Sequence, residues 1–292
     1  MSKKISVIMS VYNGSRFLEE SINSILNQSF SDFEFIIIND GSNKFTKKIL
    51  ISYKKKDKRI ILLNQRNKGL TKSLNAGLKM CNGELIARQD SDDISYKERF
   101  TEQIKLFNKN KEIVLCGSFA NLINEENQII KSITNIPIND FDIKKKLFNQ
   151  NIFIHSSTMY KLKIMNKIGG YNNNFKYAQD YECWCRMSAE GNFANIPNKL
   201  IALRVHSQSI SATKRKEQNY YALKAKIFFN SKKIINKKKI INFKNIMFYL
   251  NKYDLKKKYA KKSFFDLSKP EKKLLFKYPK LLIKFFFKKF FY

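Results

Sequence analysis

The chain has 292 residues, of which 43% are hydrophobic and 28% charged, with a formal net charge of +33. This length supports one large catalytic domain with an extension, and only 9 Gly and 4 Pro exclude collagen-like or wholly disordered character. Four Cys without a CxxC pair and only two His argue against a zinc site and are typical of reduced thiols. No apolar run approaches the roughly 20 residues needed to cross a bilayer.

The positive charge is concentrated at the carboxyl end of the chain. Residues 214–292 hold 25 Lys/Arg and 4 Asp/Glu, whereas residues 1–213 hold 32 and 20. Such a field attracts polyanions, either nucleic acid or anionic lipid. Because Lys outnumbers Arg 49 to 8 and Asn, Ile and Phe are abundant, codon bias in an AT-rich genome is an alternative source of part of this charge.

In the first half of the chain, short apolar runs alternate with helical patterns. Helical periodicity separates the runs and covers residues 15–27, 44–55 and 71–80; the predicted strands are residues 5–11, 33–39, 60–63 and 84–89. This alternation predicts an α/β fold with a parallel sheet covered by helices. Polar and Gly-containing turns follow the strands, so they fall at the carboxyl ends of the sheet, where such folds bind ligands.

The second half is predicted to be mixed. Strands are expected at residues 113–119 and 128–133 around an acidic turn, then near 193–196 and 200–205, with helices at 140–148 and 180–189. After Thr213 the pattern becomes helical and rich in Lys, Phe and Tyr.

Three carboxylates within four residues, Asp90, Asp92 and Asp93, directly follow an apolar strand. They repel one another unless a cation lies among them, and a hard divalent ion such as Mn²⁺ or Mg²⁺ is the natural occupant. Such an ion would neutralise charge on a departing diphosphate. The alternative is a solvated acidic turn that caps a helix near Ser95.

Asp40 ends another apolar strand and precedes a Gly-Ser turn. Its carboxylate could accept hydrogen bonds from a nucleobase or ribose. The alternative is an N-cap of the helix that begins near Lys44. Asp180 likewise precedes an apolar periodic stretch, and an ordinary N-cap is its alternative interpretation.

Taken together, these motifs resemble family-2 glycosyltransferases. The segments that carry the resemblance are SVIMSVYNG (6–14), IIINDGS (36–42), NKGL (67–70) with LNAG (74–77), RQDSDD (88–93), GGY (169–171), QDYECW (179–184) and RVHS (204–207). The resemblance covers about residues 3–213 and implies a GT-A fold with a nucleotide-sugar-binding half (1–112) and an acceptor half (113–213). It does not extend to residues 214–292, a predicted basic helical tail.

The resemblance also implies roles for particular residues. Asp180 would be the catalytic base of an inverting transfer, although the chain has Gln179 where family members usually carry Glu. Asp92 would bind the Mn²⁺ or Mg²⁺ ion, His206 could add a second ligand, and Asp93 would support the site or cap the next helix. The donor would be bound, with the Tyr12 ring against the base, by Ser10, Tyr12, Asp40, Lys68, Gly69, Asn75, Asp90 and Ser91. Trp184 is expected to be a core residue. His155 is expected to line the acceptor cleft or to cap a turn.

Lysines recur every three or four residues near the end of the chain, among nine apolar and aromatic residues: Lys273, Lys277, Lys280, Lys284 and Lys288. This stripe predicts binding to the anionic inner face of the cell membrane, and packing on the catalytic domain is the alternative. The expected partners are a nucleotide-sugar, for which the resemblance implies UDP, and a glycan or lipid-linked glycan. The protein is expected to be cytoplasmic and peripheral on the membrane, and to act in cell-surface polysaccharide synthesis. A nucleotidyltransferase and a basic nucleic-acid-binding protein are the competing functions; no nucleic-acid reader motif is recognisable.

Overall fold

A computed structural model describes residues 4–14 and 16–235 of the chain. Over these residues the strands are β1 Ile5–Val11, β2 Phe33–Asp40, β3 Ile60–Gln65, β4 Leu85–Gln89, β5 Ile94–Ser95, β6 Ile113–Ile123, β7 Ile129–Ile133, β8 Met159–Lys161 and β9 Asn192–Arg204. The helices are α1 Leu18–Leu26, α2 Lys44–Lys56, α3 Leu70–Leu78, α4 Arg99–Lys109, α5 Asp140–Leu147, α6 Leu162–Lys167, α7 Gln179–Met187, α8 Ile210–Thr213 and α9 Arg215–Ile235, with a 3₁₀ turn at His155–Ser157.

Within the described part, all strands join one mixed sheet in the order β3-β2-β1-β4-β8-β6-β9-β5, with β7 paired to β6. The first four strands are parallel, as predicted. The near-continuous apolar runs of β1, β2 and β4 are buried on both faces because helices cover the sheet on each side, whereas the edge strand β3 is only partly buried. The carboxyl ends of β1, β2 and β4 therefore meet at one edge, where the polar loops follow.

The second half is built differently, as the change in pattern predicted. β8 runs antiparallel to both β4 and β6, whereas β6 and β9 are parallel. β5 pairs antiparallel with the end of β9, matching Ile94 with Ala202. This short pairing brings the loop after β4 next to the residues that follow β9.

The two strands predicted near residues 193–196 and 200–205 form one strand, β9. Pro197 lies inside β9, and the register between β9 and β6 shifts at this point. Ser118 pairs with Ile196, whereas the next residue, Phe119, pairs with Lys199. A bulge accommodates Pro197, which has no N–H to donate to a ladder. β5, β8 and α6 were not predicted, since elements of two to six residues carry almost no periodicity.

Helix α9 packs on α7 and on the core of the domain. Ala225 is buried in the same cluster as Trp184, and the rings of Phe229 and Phe148 stack at 5.1 Å between centroids. The predicted boundary at residue 213 therefore falls between elements that share one core. Within the described residues, no helix is both long and apolar enough to cross a membrane. The predicted lysine stripe at residues 273–288 lies outside the described residues.

Candidate active site

The loops after β1 and β2 hold each other in place. The hydroxyl of Ser42 donates to the Val11 carbonyl at 3.2 Å and accepts from the Asn13 N–H at 3.1 Å. Asn13 has a φ of 54°, in the left-handed region that Asn tolerates better than most residues. The result is a fixed turn that presents Tyr12, whose side chain is 58% exposed, next to the partly exposed Ser10 at the end of β1.

Asp40 is buried and organises the loop before α3. One carboxylate oxygen accepts from Lys68 N at 2.8 Å and from Gln65 Nε2 at 2.7 Å, and the other from Gly69 N at 2.9 Å. The N-cap alternative for Asp40 is wrong, because Asn43 caps α2 by accepting from Thr46 N. A contact between Asp40 and the donor stays a prediction.

Two further predicted donor-binding residues have structural partners. The Asn75 amide donates to the Tyr171 carbonyl at 2.8 Å and accepts from the Tyr171 N–H at 2.9 Å, which fixes the turn after Gly170. The Lys68 side chain is exposed beside Gly69, whose φ of 84° favours glycine. Sequence reasoning missed these cross-links between α3 and the acceptor half, and the donor roles stay predictions.

Arg88 and Asp90 form an ion pair at the end of β4. The Arg88 guanidinium is completely buried and also donates to the Ile8 carbonyl at 3.2 Å. Burial raises the pKa of Asp90 above its usual value; Arg88 works against this shift and the charge of Asp92 adds to it. The Asp90 carbonyl accepts from Ser21 at 2.7 Å, so the acidic loop is held on its backbone side as well.

Asp92 lies beside His206, and their binding of a metal ion stays a prediction. The His206 Nε2 is 2.9 Å from Asp92 Oδ2, and the two side chains are 12% and 31% exposed. Ser91 lies nearby against Gly14, where an added Cβ would come within 3.2 Å of the Ser91 hydroxyl. Across residues 4–14 and 16–235, no three His, Cys, Asp or Glu side chains are grouped as a metal site. The protein thus supplies one carboxylate and one imidazole at this point.

Asp93 points away from this pair into the protein. It accepts from the Ser156 hydroxyl and from Arg204 N at 2.9 Å. Burial, followed by the charges of Asp92 and Asp90, raises its pKa well above the usual value. The helix-capping interpretation of Asp93 and the solvated-turn alternative are both wrong here: Asp93 is buried, and α4 begins only at Arg99. Asp93 therefore supports the acidic loop from behind.

Arg204 is the site residue that sequence reasoning passed over. Its buried guanidinium donates to the Asp92 carbonyl at 2.9 Å and pairs with Glu20 at 2.6 Å. It also lies 4.3 Å from the centroid of Phe17, whose ring is 5.2 Å from that of His206. Arg204 is one of only eight Arg in a Lys-rich chain and stands at the end of an apolar strand, and this was the signal available in the sequence. A planar, permanently charged donor suits such a buried position better than Lys does.

Asp180 lies in the first turn of α7. Asn151 Nδ2 donates to its Oδ2 at 2.6 Å, and the backbone N–H of Tyr181 also stabilises the carboxylate. Burial nevertheless raises the pKa of Asp180, and the charge of Asp90 contributes in the same direction. The N-cap alternative is wrong because Ala178, with a φ of 51°, occupies the cap. The charge of Asp90 acts on Asp180, so the acidic loop and the start of α7 lie near each other.

Two further residues singled out in the sequence are Trp184 and His155. Trp184 is fully buried and packs against Tyr160, as predicted for a core residue. His155 Nε2 lies 3.0 Å from the Tyr171 hydroxyl, and burial followed by the Arg88 charge lowers its pKa well below the usual value. His155 is therefore a neutral ring beside Tyr171, and its place in an acceptor cleft stays a prediction.

Comparison with known proteins identifies the family and the fold. The model of glycosyl transferase family 2 matches residues 6–169. The O-antigen biosynthesis glycosyltransferase WbnJ of Escherichia coli is 34% identical over 221 residues, which cover 74% of this chain and 84% of WbnJ.

Two solved structures share the fold. S. aureus TarS 1–349 in complex with UDP aligns with a TM-score of 0.61 at 17% identity, covering 77% of this chain and 65% of that one. Mannosyltransferase PcManGT from Pyrobaculum calidifontis, in complex with GDP-Man and Mn²⁺, aligns with a TM-score of 0.60 at 14% identity, covering 77% and 63%. The chain spans just under two thirds of both.

The fold is that of the GT-A glycosyltransferases. The chain belongs to glycosyltransferase family 2.

Proposed function

We propose that the chain transfers a sugar, with inversion, from a nucleotide-diphosphate-sugar to a hydroxyl of a glycan acceptor. The observation that carries this proposal is the 2.9 Å contact of Asp92, in the loop after β4, with His206, beside an Asp90 whose charge acts on Asp180. Inversion needs an acceptor hydroxyl that attacks the anomeric carbon opposite the leaving diphosphate. One positioned carboxylate suffices to accept the hydroxyl proton.

Asp92 and His206 would hold the divalent ion together with oxygens of the diphosphate. Their carboxylate and imidazole are 2.9 Å apart and partly exposed, and both are ligand types that suit Mn²⁺. Two protein ligands leave coordination positions for the phosphates. When bound, the ion would supply charge neutralisation for the departing nucleoside diphosphate. PcManGT, a structural neighbour, was solved with Mn²⁺, which supports Mn²⁺ ahead of Mg²⁺.

Asp180 would act as the general base. Its carboxylate is held by Asn151 and lies near Asp90, so an acceptor hydroxyl between them could lose its proton to Asp180. The raised pKa makes this carboxylate a stronger base than an ordinary surface Asp.

The donor is proposed to be a UDP-sugar. The nucleotide would lie over the ends of β1 and β2, with its base against the exposed ring of Tyr12 and near Ser10, and with Asp40 behind the loop of Lys68 and Gly69. TarS was solved with UDP and WbnJ is named for O-antigen biosynthesis, which supports a UDP-sugar and an acceptor of the cell-surface polysaccharide type.

The test is a donor screen with the purified full-length chain. UDP-, GDP- and dTDP-sugars are incubated with Mn²⁺, Mg²⁺ or EDTA, and nucleoside diphosphate release is followed. We expect release from one donor class with a divalent ion and its loss in Asp92→Asn, whereas Asp142→Asn, an exposed control in α5, keeps it. Proton NMR of the product then gives the anomeric configuration. Retention of configuration, or pyrophosphate release as from a nucleotidyltransferase, would contradict the proposal.

The predicted membrane contact is a separate proposal. Residues 273–288 carry the lysine stripe described above, and each Lys near an anionic surface contributes about 1 kcal/mol. We expect the chain to sediment with vesicles containing phosphatidylglycerol but not with phosphatidylcholine alone. Replacing the five stripe lysines by Gln should abolish sedimentation; if the replacement has no effect, the stripe is not the binding element.

A further inference from the structure

A cavity of about 220 Å³ lies beside the side chain that holds Asp180. Asn151 lines this cavity, and its Nδ2 donates to Asp180 Oδ2 at 2.6 Å. A cavity of this volume has room for several water molecules, which is on the scale of one sugar ring with its hydroxyls. The cavity is therefore one side chain away from the carboxylate proposed as the base.

The walls of the cavity are of two kinds. One part is apolar and includes Ile133, Ile136 and Phe153; the rim carries the exposed polar side chains of Lys146 and Gln150. A pyranose ring has the same division, since its C–H bonds form apolar faces while its hydroxyls point outward around the edge. Small-ligand sites combine apolar walls with a few polar groups in this way.

Hydrogen bonds fix the backbone on one side of the cavity. Asn195 on β9 donates from its side chain to the Pro137 carbonyl at 2.8 Å and from its backbone to the Ile138 carbonyl at 3.0 Å. Opposite, the Phe153 ring packs edge-on against Phe193 with centroids 5.7 Å apart. Gly117 makes room for both sides, because a Cβ there would lie 2.4 Å from Asn195 Oδ1 and 2.8 Å from Phe153. A ligand would thus meet a largely preformed site.

We propose that this cavity binds the terminal monosaccharide of the acceptor glycan and selects which sugar is extended. The proposal rests on the proposed function, because it takes Asp180 as the base. Asn151 contacts both the cavity and the carboxylate, so a sugar seated here would place a hydroxyl at the Asn151 side of Asp180. The volume admits one sugar ring, which implies recognition of a single residue rather than of a long glycan segment.

The test uses two matched variants of the full-length chain. Ile136→Trp fills the cavity, whereas Ile138→Trp makes the same change two residues away, at an exposed position that does not line it. Binding of methyl glycosides of common hexoses, N-acetylhexosamines and 6-deoxyhexoses is measured by saturation-transfer NMR, and the same compounds are offered as acceptors with the donor found in the screen. Donor hydrolysis without acceptor is recorded in parallel, and circular dichroism checks the fold.

We expect at least one methyl glycoside to bind wild type and Ile138→Trp. In Ile136→Trp its affinity, and the acceptor KM, should worsen by about tenfold or more while donor hydrolysis is unchanged. The proposal is overturned if Ile136→Trp behaves like wild type or if no glycoside binds. Binding that depends on Ile136 in a chain that hydrolyses no donor would support the cavity as a sugar site and contradict the proposed function instead.

Discussion

His206 Nε2 lies 2.9 Å from Asp92 Oδ2, although 114 residues separate them in the chain. The contact forms because β5 pairs with the end of β9, which places the loop after β4 against the residues that follow β9. Phe17 packs on both His206 and Arg204, and Arg204 donates to the backbone of Asp92. The His206 imidazole and the Asp92 carboxylate are thus held in place by the pairing of β5 with β9, by Phe17 and by Arg204.

In the proposed site, His206 would be a metal ligand. We expect His206→Ala to weaken Mn²⁺ binding by about tenfold or more, because one of two protein ligands is lost. Isothermal titration with Mn²⁺ in the presence of UDP measures the affinity. Glu126→Gln, in an exposed turn, serves as the control and should bind like wild type. Equal affinity in His206→Ala would remove this residue from the metal site.

Asp180→Asn should separate donor binding from transfer. The amide keeps the size of the side chain and can still accept a hydrogen bond, but it cannot take a proton from an acceptor hydroxyl. We expect transfer to fall by about 10²- to 10⁴-fold, the usual contribution of a general base, with an unchanged dissociation constant for the donor. Single-turnover transfer and equilibrium donor binding measure the two effects. Transfer at the wild-type rate would exclude Asp180 as the base.

The pH dependence of transfer should reveal the link between Asn151 and Asp180. A base must be ionised, so the rate falls as pH drops through the raised pKa of Asp180. The hydrogen bond from Asn151 lowers that pKa, and its loss in Asn151→Ala should move the acid limb of the profile to higher pH. Asn151→Ser, which retains a donor, should show a smaller shift. The measurement is kcat/KM for the acceptor as a function of pH, and superimposable profiles would contradict the assignment.

Arg204 and Arg16 pack on the same phenylalanine, at 4.3 and 5.0 Å from the Phe17 centroid, but only Arg204 is buried. Arg204→Ala leaves the Asp92 carbonyl without its guanidinium donor, and we expect it to lower the free energy of unfolding by about 3 kcal/mol. Arg16→Ala removes an exposed ion pair with Glu125 and should cost less than about 1 kcal/mol. Urea unfolding of both variants gives the comparison; equal losses would show that burial does not decide the effect.

Asp93 should make the folded state less stable as pH rises. Its pKa is raised in the folded protein, so its stabilising contribution is complete below about pH 3.9, the usual pKa of Asp, and is lost as pH increases through the folded value. Asn does not titrate, so the free energy of unfolding of Asp93→Asn should improve relative to wild type across that window. Denaturant unfolding at a series of pH values tests this, with Asp142→Asn as an exposed control. A constant difference between wild type and Asp93→Asn would refute it.

Much of the nucleotide-binding half could be predicted from local pattern. The apolar runs of β1, β2 and β4 were predicted nearly residue for residue, because strands buried on both faces need continuous apolar sequence and are bounded by polar turns. The edge strand β3 was predicted two residues too short. The acidic motif after β4 and the Asp at the start of α7 could also be recognised locally, because each lies next to an apolar segment. Their order along the chain was enough to indicate the family, which the family model then confirmed.

What the amino-acid sequence determined by itself was the set of elements with strong periodicity and the chemistry available at their ends. Only the tertiary structure decided which of those groups meet: His206 with Asp92, Asn151 with Asp180, and Asp40 with the backbone of Lys68 and Gly69 rather than with a helix end. These contacts depend on strand order and on pairings as short as β5 with β9, where two residues carry too little pattern to be read locally. The spacing of hydrophobic residues along a segment indicates which of its faces is buried, but it does not indicate which distant residues that segment will contact.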